Sequence, residues 1–178
     1  MTVFTLYEND WGTIELLPSE NLSWLRNQHA QDEMKLKDQR FSDGWFAIDA
    51  FSGPAFLIKI AERRIQVNDL TDSIENRLTR ADTVRADYGG GLAPVVVQSG
   101  FAYGTPSGQP GGVYGHRQAL TVHELCLSGD SCNPLFAELL FNWGQRFDLL
   151  LVDWSLERAL RLSDYDILLK SIAGDDNR

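Results

Sequence analysis

Asn133-Pro134-Leu135-Phe136-Ala137-Glu138-Leu139-Leu140-Phe141-Asn142-Trp143-Gly144-Gln145-Arg146-Phe147-Asp148-Leu149-Leu150-Leu151-Val152-Asp153 sets two periodicities back to back. Asparagine is a favoured helix cap and proline is pre-organised for the first helical position, so a helix starts at Asn133-Pro134. Phe136, Leu139, Leu140, Trp143 and Phe147 then recur at the spacing of one helical face. The apolar run Leu149 to Val152 is bounded by Asp148 and Asp153 and is too short for a helix. It reads as a central strand covered on both faces. An apolar helix feeding a doubly covered strand places helices and sheet in one core.

Downstream, Ser155-Leu156-Glu157 turns the chain back into Arg158 to Leu162. Ser163 and Asp166 resemble a capping box with Asp in the Glu position, opening a last helix through Leu168, Leu169 and Ile172 that stops at Gly174. Upstream, His116 to Leu127 has β character through Leu120-Thr121-Val122, and Leu92 to Val97 is a strand that Pro94 restricts to a sheet edge or a strand start. Gly100 to Gly115, with six glycines and two prolines, reads as a long loop or hairpin tip. Leu70, Ile74 and Leu78 mark an amphipathic helix from Val67 to Ala81. Trp45 to Phe51 and Ala55 to Ile60 flank Ser52-Gly53-Pro54 as a hairpin. Val3 to Tyr7 and Thr13 to Leu17 make an N-terminal hairpin across Asn9 to Gly12, and Ser19 caps a short helix carrying Leu22, Trp24 and Leu25. Gln31 to Arg40 is polar nearly all round. With no repeat and no linker, the expectation is a single α+β domain over residues 1–178, its mixed or mainly antiparallel sheet packed against three to four helices.

The chain is 178 residues long, 43% hydrophobic and 23% charged, near the globular average, which excludes a collagen, a coiled coil and a disordered chain. No run of about 18 apolar residues spans a bilayer. Sixteen Lys and Arg against 25 Asp and Glu give a net charge of −9, and basic residues never cluster without interleaved acids. Neither nucleic acid nor an anionic membrane is therefore an expected partner. The balance permits a basic protein as partner, since an acidic surface steers such an encounter; the plainer alternative is a negative charge that serves solubility only. The N-terminus lacks the charged start, apolar stretch and cleavage site of a signal peptide, so a cytoplasmic location with free thiols is expected. Cys126 and Cys132 are too few for a four-cysteine zinc site; a disulfide across Ser128 to Ser131 is the alternative in an oxidising compartment.

No cofactor is expected. Gly104-Thr105-Pro106-Ser107-Gly108 and Gly111-Gly112-Val113 lack the P-loop lysine, and Gly89-Gly90-Gly91-Leu92-Ala93-Pro94 puts proline where a dinucleotide fingerprint needs its third glycine. His116, His123 and Glu124 are the candidate acid-base set. Strand alternation places His123 and Glu124 on opposite faces, and the zinc-protease spacing is missing, so no metal is expected. Hydrogen-bonded structural histidines are the plainer reading. Ser107 lacks a nucleophile elbow, and Cys126 has no cationic neighbour in sequence to activate it. Glu15, Asp49, Asp148 and Asp153 are scattered acids with no spacing that pairs them.

The remaining signal is a contact surface: Asp82, Asp87 and Tyr88, then Phe101, Tyr103 and Tyr114 in the glycine-rich segment. Aromatic side chains give contact area at small entropic cost, and the acids complement a basic partner. The plainer alternative packs the aromatics of that segment back on the sheet.

Phe147-Asp148-Leu149-Leu150-Leu151-Val152-Asp153-Trp154, followed by a polar turn and a Ser-capped terminal helix in a small, acidic, tryptophan-rich chain, resembles bacterial toxin-immunity proteins. The resemblance covers about the last 30 residues and carries no functional residue with it. It implies a stoichiometric, non-enzymatic inhibitor that occludes the active site of a cognate, often basic, toxin. The alternatives are a small hydrolase-like enzyme, with His116, His123 or Glu124 as proton carrier in a pocket beside Gly100 to Gly115, and a structural or regulatory domain of an assembly.

Overall fold

The computed structural model describes residues 2–7, 13–27, 57–74, 77–105, 111–128, 134–154 and 158–172. In chain order the elements are β1 (Val3–Tyr7), β2 (Ile14–Pro18), α1 (residues 22–27), α2 (Val67–Ile74), β3 (Thr79–Arg80), β4 (Thr83–Asp87), β5 (Val95–Val96), β6 (Gly100–Gly104), β7 (Gly112–Gln118), β8 (Thr121–Ser128), α3 (Pro134–Phe147), β9 (Leu149–Asp153), β10 (Arg158–Arg161) and α4 (Tyr165–Ile172). Seven strands pair antiparallel in the order β10-β9-β2-β8-β7-β6-β3. The other three make a smaller mixed sheet, β1-β4-β5, with β1 parallel to β4. The fold is α+β with a mainly antiparallel sheet, as the sequence predicts. No described helix is long and apolar enough to cross a membrane.

One residue, Asp148, turns α3 into β9. Its φ of 52° lies in the left-handed region that ends helices, and its amide still donates to the Gly144 carbonyl. Helices α3 and α2 then cover one face of the large sheet. Period-two alternation sends Leu16, Phe101, Tyr103, Val113, Leu125, Leu127, Leu149 and Leu151 to that face, against Leu70 and Ile74 of α2 and Phe136, Leu139, Leu140 and Trp143 of α3. Each such side chain contributes roughly 1.5–3 kcal/mol by leaving water. Polar tips that intrude are paired: Tyr103 Oη shares a 2.5 Å hydrogen bond with Thr71 Oγ1, and Trp143 Nε1 donates to Ser73 Oγ at 2.7 Å. Both bonds pin α2 to the core.

The opposite face has two separate covers. Toward β9 and β2, Leu17, Leu150 and Val152 meet Leu22 and Leu25 of α1, together with Leu57. Toward β6, β7 and β8, Ala102, Tyr114 and Cys126 meet Leu6 and Val84 on the inner face of the small sheet. Glycine makes this second contact possible. A Cβ at Gly112 would stand 2.5 Å from the Tyr103 carbonyl oxygen and 2.6 Å from the Phe4 ring, so bare backbone is what lets β1 approach. At Gly115 a Cβ would run into the Glu124 carbonyl oxygen and the Phe101 ring.

Gly100 to Gly115 is therefore the body of a hairpin, β6 and β7, with residues 106–110 outside the described residues. The expected N-terminal hairpin does not form. β1 and β2 belong to different sheets, because Phe4 and Leu6 pack on the glycine-lined strands while β1 pairs with β4. Strand β4 itself, with Val84 and Ala86 inward between Thr83, Arg85 and Asp87, has no counterpart among the expected elements. Among the described residues helix α2 covers Val67–Ile74 and does not run on to Ala81, and Leu78 joins the core from beyond it. Ile60 opens a 3-10 turn, Ile60–Arg63, where a strand was expected. Ser19 caps nothing: its hydroxyl donates to Asp148 Oδ2 at 2.6 Å from within a 3-10 turn, Ser19–Asn21. Helix α4 is capped one residue later than expected, by Asp164, whose Oδ1 accepts the Ile167 amide at 3.2 Å. The rest of the hairpin about Ser52-Gly53-Pro54, the polar stretch 31–40, the Asn133 cap, Cys132 and the Gly174 stop lie outside the described residues.

Candidate functional site

A row of polar side chains crosses β2, β8 and β7 between the two covers. Register sets Glu15 opposite Cys126, Cys126 opposite Tyr114, and Glu124 opposite His116. Glu15 Oε2 accepts the Trp154 indole N–H at 3.1 Å, and its Oε1 lies 4.0 Å from Lys59 Nζ. His116 Nε2 is 3.7 Å from Glu124 Oε2, and His116 Nδ1 is 3.2 Å from Ser99 Oγ. Burial pushes the Glu15 carboxyl above its ordinary 4.5; Lys59 and the Trp154 bond oppose the rise and Glu124 adds to it. Burial likewise pushes the Cys126 thiol well up, helped by the carboxylates of Glu124 and Glu15. A free, buried thiol held protonated is a poor nucleophile.

The acid-base set is thereby reduced to a pair. A register shift between His116 and Arg117 leaves His123 as an extra residue on β8, so Val122 and Leu125 both reach the helix-side core and the alternation expected to separate His123 from Glu124 breaks down. His123 is exposed. A cleft of about 540 Å³ lies along β10 and α4, and another of about 350 Å³ lies beside α1; Arg26 and Arg161 line both. Neither is lined by His116, His123 or Glu124. Among the described residues, no three His, Cys, Asp or Glu side chains stand together to hold a metal ion.

Phe101, Tyr103 and Tyr114 are buried core residues, so the contact surface expected from them is not where the structure puts them. Their hydrophobic area closes the two cores instead. Asp82, Asp87 and Tyr88 remain at or near the surface, at the two ends of β4. Asp82 Oδ2 accepts the Thr2 amide at 2.6 Å, tying the start of β1 to β4, and Asp87 Oδ1 accepts the Gly89 amide at 2.9 Å. No family model, curated protein or solved structure matches the chain. The site has to be read from its own geometry.

That geometry adds residues that the sequence reading leaves out. Val3 and Tyr7 of β1 and Val96 of β5 stand on the outer face of the small sheet, on either side of Arg85 and Asp87. Gly89, Gly90 and Gly91 follow at φ of 68°, 63° and 77°, a left-handed run that suits glycine alone, and they leave Tyr88 and Leu92 in solvent. Leu92 is 70% exposed and Tyr7 59%. The signal was present in Val3 to Tyr7, where Phe4 and Leu6 already fill the buried face and leave Val3 and Tyr7 without one.

Proposed function

We propose that the chain is a non-enzymatic binding protein that engages a basic protein through the outer face of β1-β4-β5. One observation carries this reading: Val3, Tyr7 and Val96 are exposed on that face, and Tyr88 and Leu92 on the glycine turn that follows β4. Apolar side chains grouped within a polar rim mark interaction surfaces. The net charge of −9 supports a cationic partner, which it would attract over a Debye length. The His116–Glu124 pair offers acid-base groups but borders neither of the two clefts, so the enzyme reading has less support. In its specific form the proposal is a cytoplasmic immunity-type inhibitor that occludes the active site of a bacterial toxin, as the resemblance of residues 147–154 implies.

The test is affinity capture on the immobilised chain beside a Tyr7→Ser/Val96→Lys variant whose circular dichroism matches wild type. A basic protein held by wild type, lost from the variant and associating more slowly as salt rises is the expected outcome. Identical captured sets would remove the sheet face from the interface. Loss of the captured protein's activity at one-to-one stoichiometry then separates an inhibitor from a passive partner.

A further inference from the structure

Strand β10 is an edge of the seven-stranded sheet among the described strands. Its ladder phase is fixed by the Leu162 amide, which donates to the Leu149 carbonyl at 3.3 Å. In an antiparallel pair, bonded and non-bonded positions alternate, so Leu160–Leu151 and Arg158–Asp153 exchange hydrogen bonds while Ala159–Val152 and Arg161–Leu150 do not. The far side of β9 has the same phase: the Trp154 amide donates to Thr13 and the Ser19 amide to Asp148, so Leu150 and Val152 direct their backbone groups to β2. The N–H and C=O of Ala159 and the N–H of Arg161 consequently point away from the sheet. The Arg161 carbonyl accepts the Asp164 amide at 3.5 Å.

These groups open into the cleft of about 540 Å³ between β10, the start of α4 and Arg26. Its two sides differ. Ala159 packs with the α1 cover, so Arg161, two residues on, shares that side with Arg26, and both continue into the neighbouring cleft by Ser19 and Ser23. Leu160 packs with the helix-side core, and beside it stand the half-exposed Ile167 and the acids Asp164 and Asp166. A strand laid along this edge would turn alternate residues toward two arginines on one side and toward an apolar, acid-rimmed wall on the other. We propose that the β10 edge is a docking site for an extended peptide of a partner protein in which acidic and apolar residues alternate, added to the sheet by backbone hydrogen bonds. This surface is separate from the small-sheet face. The competing role for arginines on a short edge strand is to discourage pairing altogether.

A fluorescein-labelled peptide, Gly-Glu-Val-Glu-Val-Glu-Val-Gly, titrated against the full chain by anisotropy tests the site. Saturable binding is expected, weakened about tenfold or more when Lys replaces Glu in the peptide and in the Arg26→Glu/Arg161→Glu variant, as lost charge-assisted bonds require. Ala159→Pro should abolish it, because proline removes an outward N–H that takes no part in the β9–β10 ladder, at an edge position where proline is tolerated. Should that variant fail to fold, amide exchange in wild type decides: Ala159 and Arg161 slow on adding peptide if the edge is paired. Tyr7→Ser/Val96→Lys should bind the peptide as wild type does, which keeps this site distinguishable from the one proposed above. Absence of saturable binding to about 1 mM, equal binding of the lysine peptide, or unchanged exchange at Ala159 and Arg161 would overturn the proposal.

Discussion

On its helical side the seven-stranded sheet presents Leu16, Phe101, Val113, Leu125 and Leu151 to α2 and α3 as one apolar surface. On its other side Glu15, Glu124 and His116 run between the α1 cover and the small sheet. The two sides therefore cohere in different ways. The helical side rests on the largest core cluster, in which whole aromatic rings and leucines lose their water. The opposite side is held by two small apolar patches and by glycines that let backbones touch. The small sheet is thus fastened on its inner face, and the proposed contact surface lies on the less cohesive side of the molecule.

The sharpest way to break this comparison is to cut one large side chain from each side. Phe136→Ala, in the helical core at 2% exposure, should cost about 3 to 5 kcal/mol in urea denaturation, because a ring-sized cavity remains in a close-packed site. Leu6→Ala, beneath the small sheet, should cost less, about 2 to 3 kcal/mol, since the smaller cluster there can close over part of the gap. A larger loss for Leu6→Ala than for Phe136→Ala would reverse the ranking of the two sides.

A smaller effect tests the glycine contact. Gly112→Ala should destabilise by about 1 to 3 kcal/mol, through overpacking against a backbone carbonyl and the Phe4 ring. Phe4→Leu removes the ring but leaves the carbonyl, so the double variant should recover part of the loss and show coupling in a double-mutant cycle. Strict additivity would mean that Phe4 does not set the spacing between the sheets.

The same contrast explains what could be read in the sequence. Pro134 to Asp153 was legible because helical and apolar-run periodicities act locally, and the structure delivers α3, the switch at Asp148 and β9 covered on both faces. Gly100 to Gly115 was not, because its glycines are chosen by Phe4 and Glu124, residues that approach from other strands. The burial of Phe101, Tyr103 and Tyr114 follows from that, since a segment taken for a loop leaves its aromatics nothing to pack on. His116 beside Glu124 was half visible: the pair appears in the candidate set, but the register shift that makes His123 an extra residue in β8 has no local signature. Exposed Val3 and Tyr7 could have been found from a strand carrying apolar residues on both faces.

The smallest effect concerns the polar row itself. Glu15 titrates above its ordinary 4.5 in the folded chain because burial outweighs Lys59 and the Trp154 bond, with Glu124 and the Cys126 thiol as its other titratable neighbours. Below 4.5 the carboxyl is protonated in folded and unfolded chains alike, so its ionisation does not affect stability. Between 4.5 and the raised folded value the unfolded chain has released a proton that the folded chain keeps; stability therefore falls as pH rises, and above that value the loss is constant. Glu15→Gln retains an acceptor for Trp154 and removes the titration. Its stability relative to wild type should rise as pH climbs above 4.5 and level off once the folded carboxyl has ionised, read from denaturation midpoints in matched buffers. A flat difference across that range would mean that Lys59 fully offsets the burial, and the row would then be no weaker a joint than the apolar patches beside it.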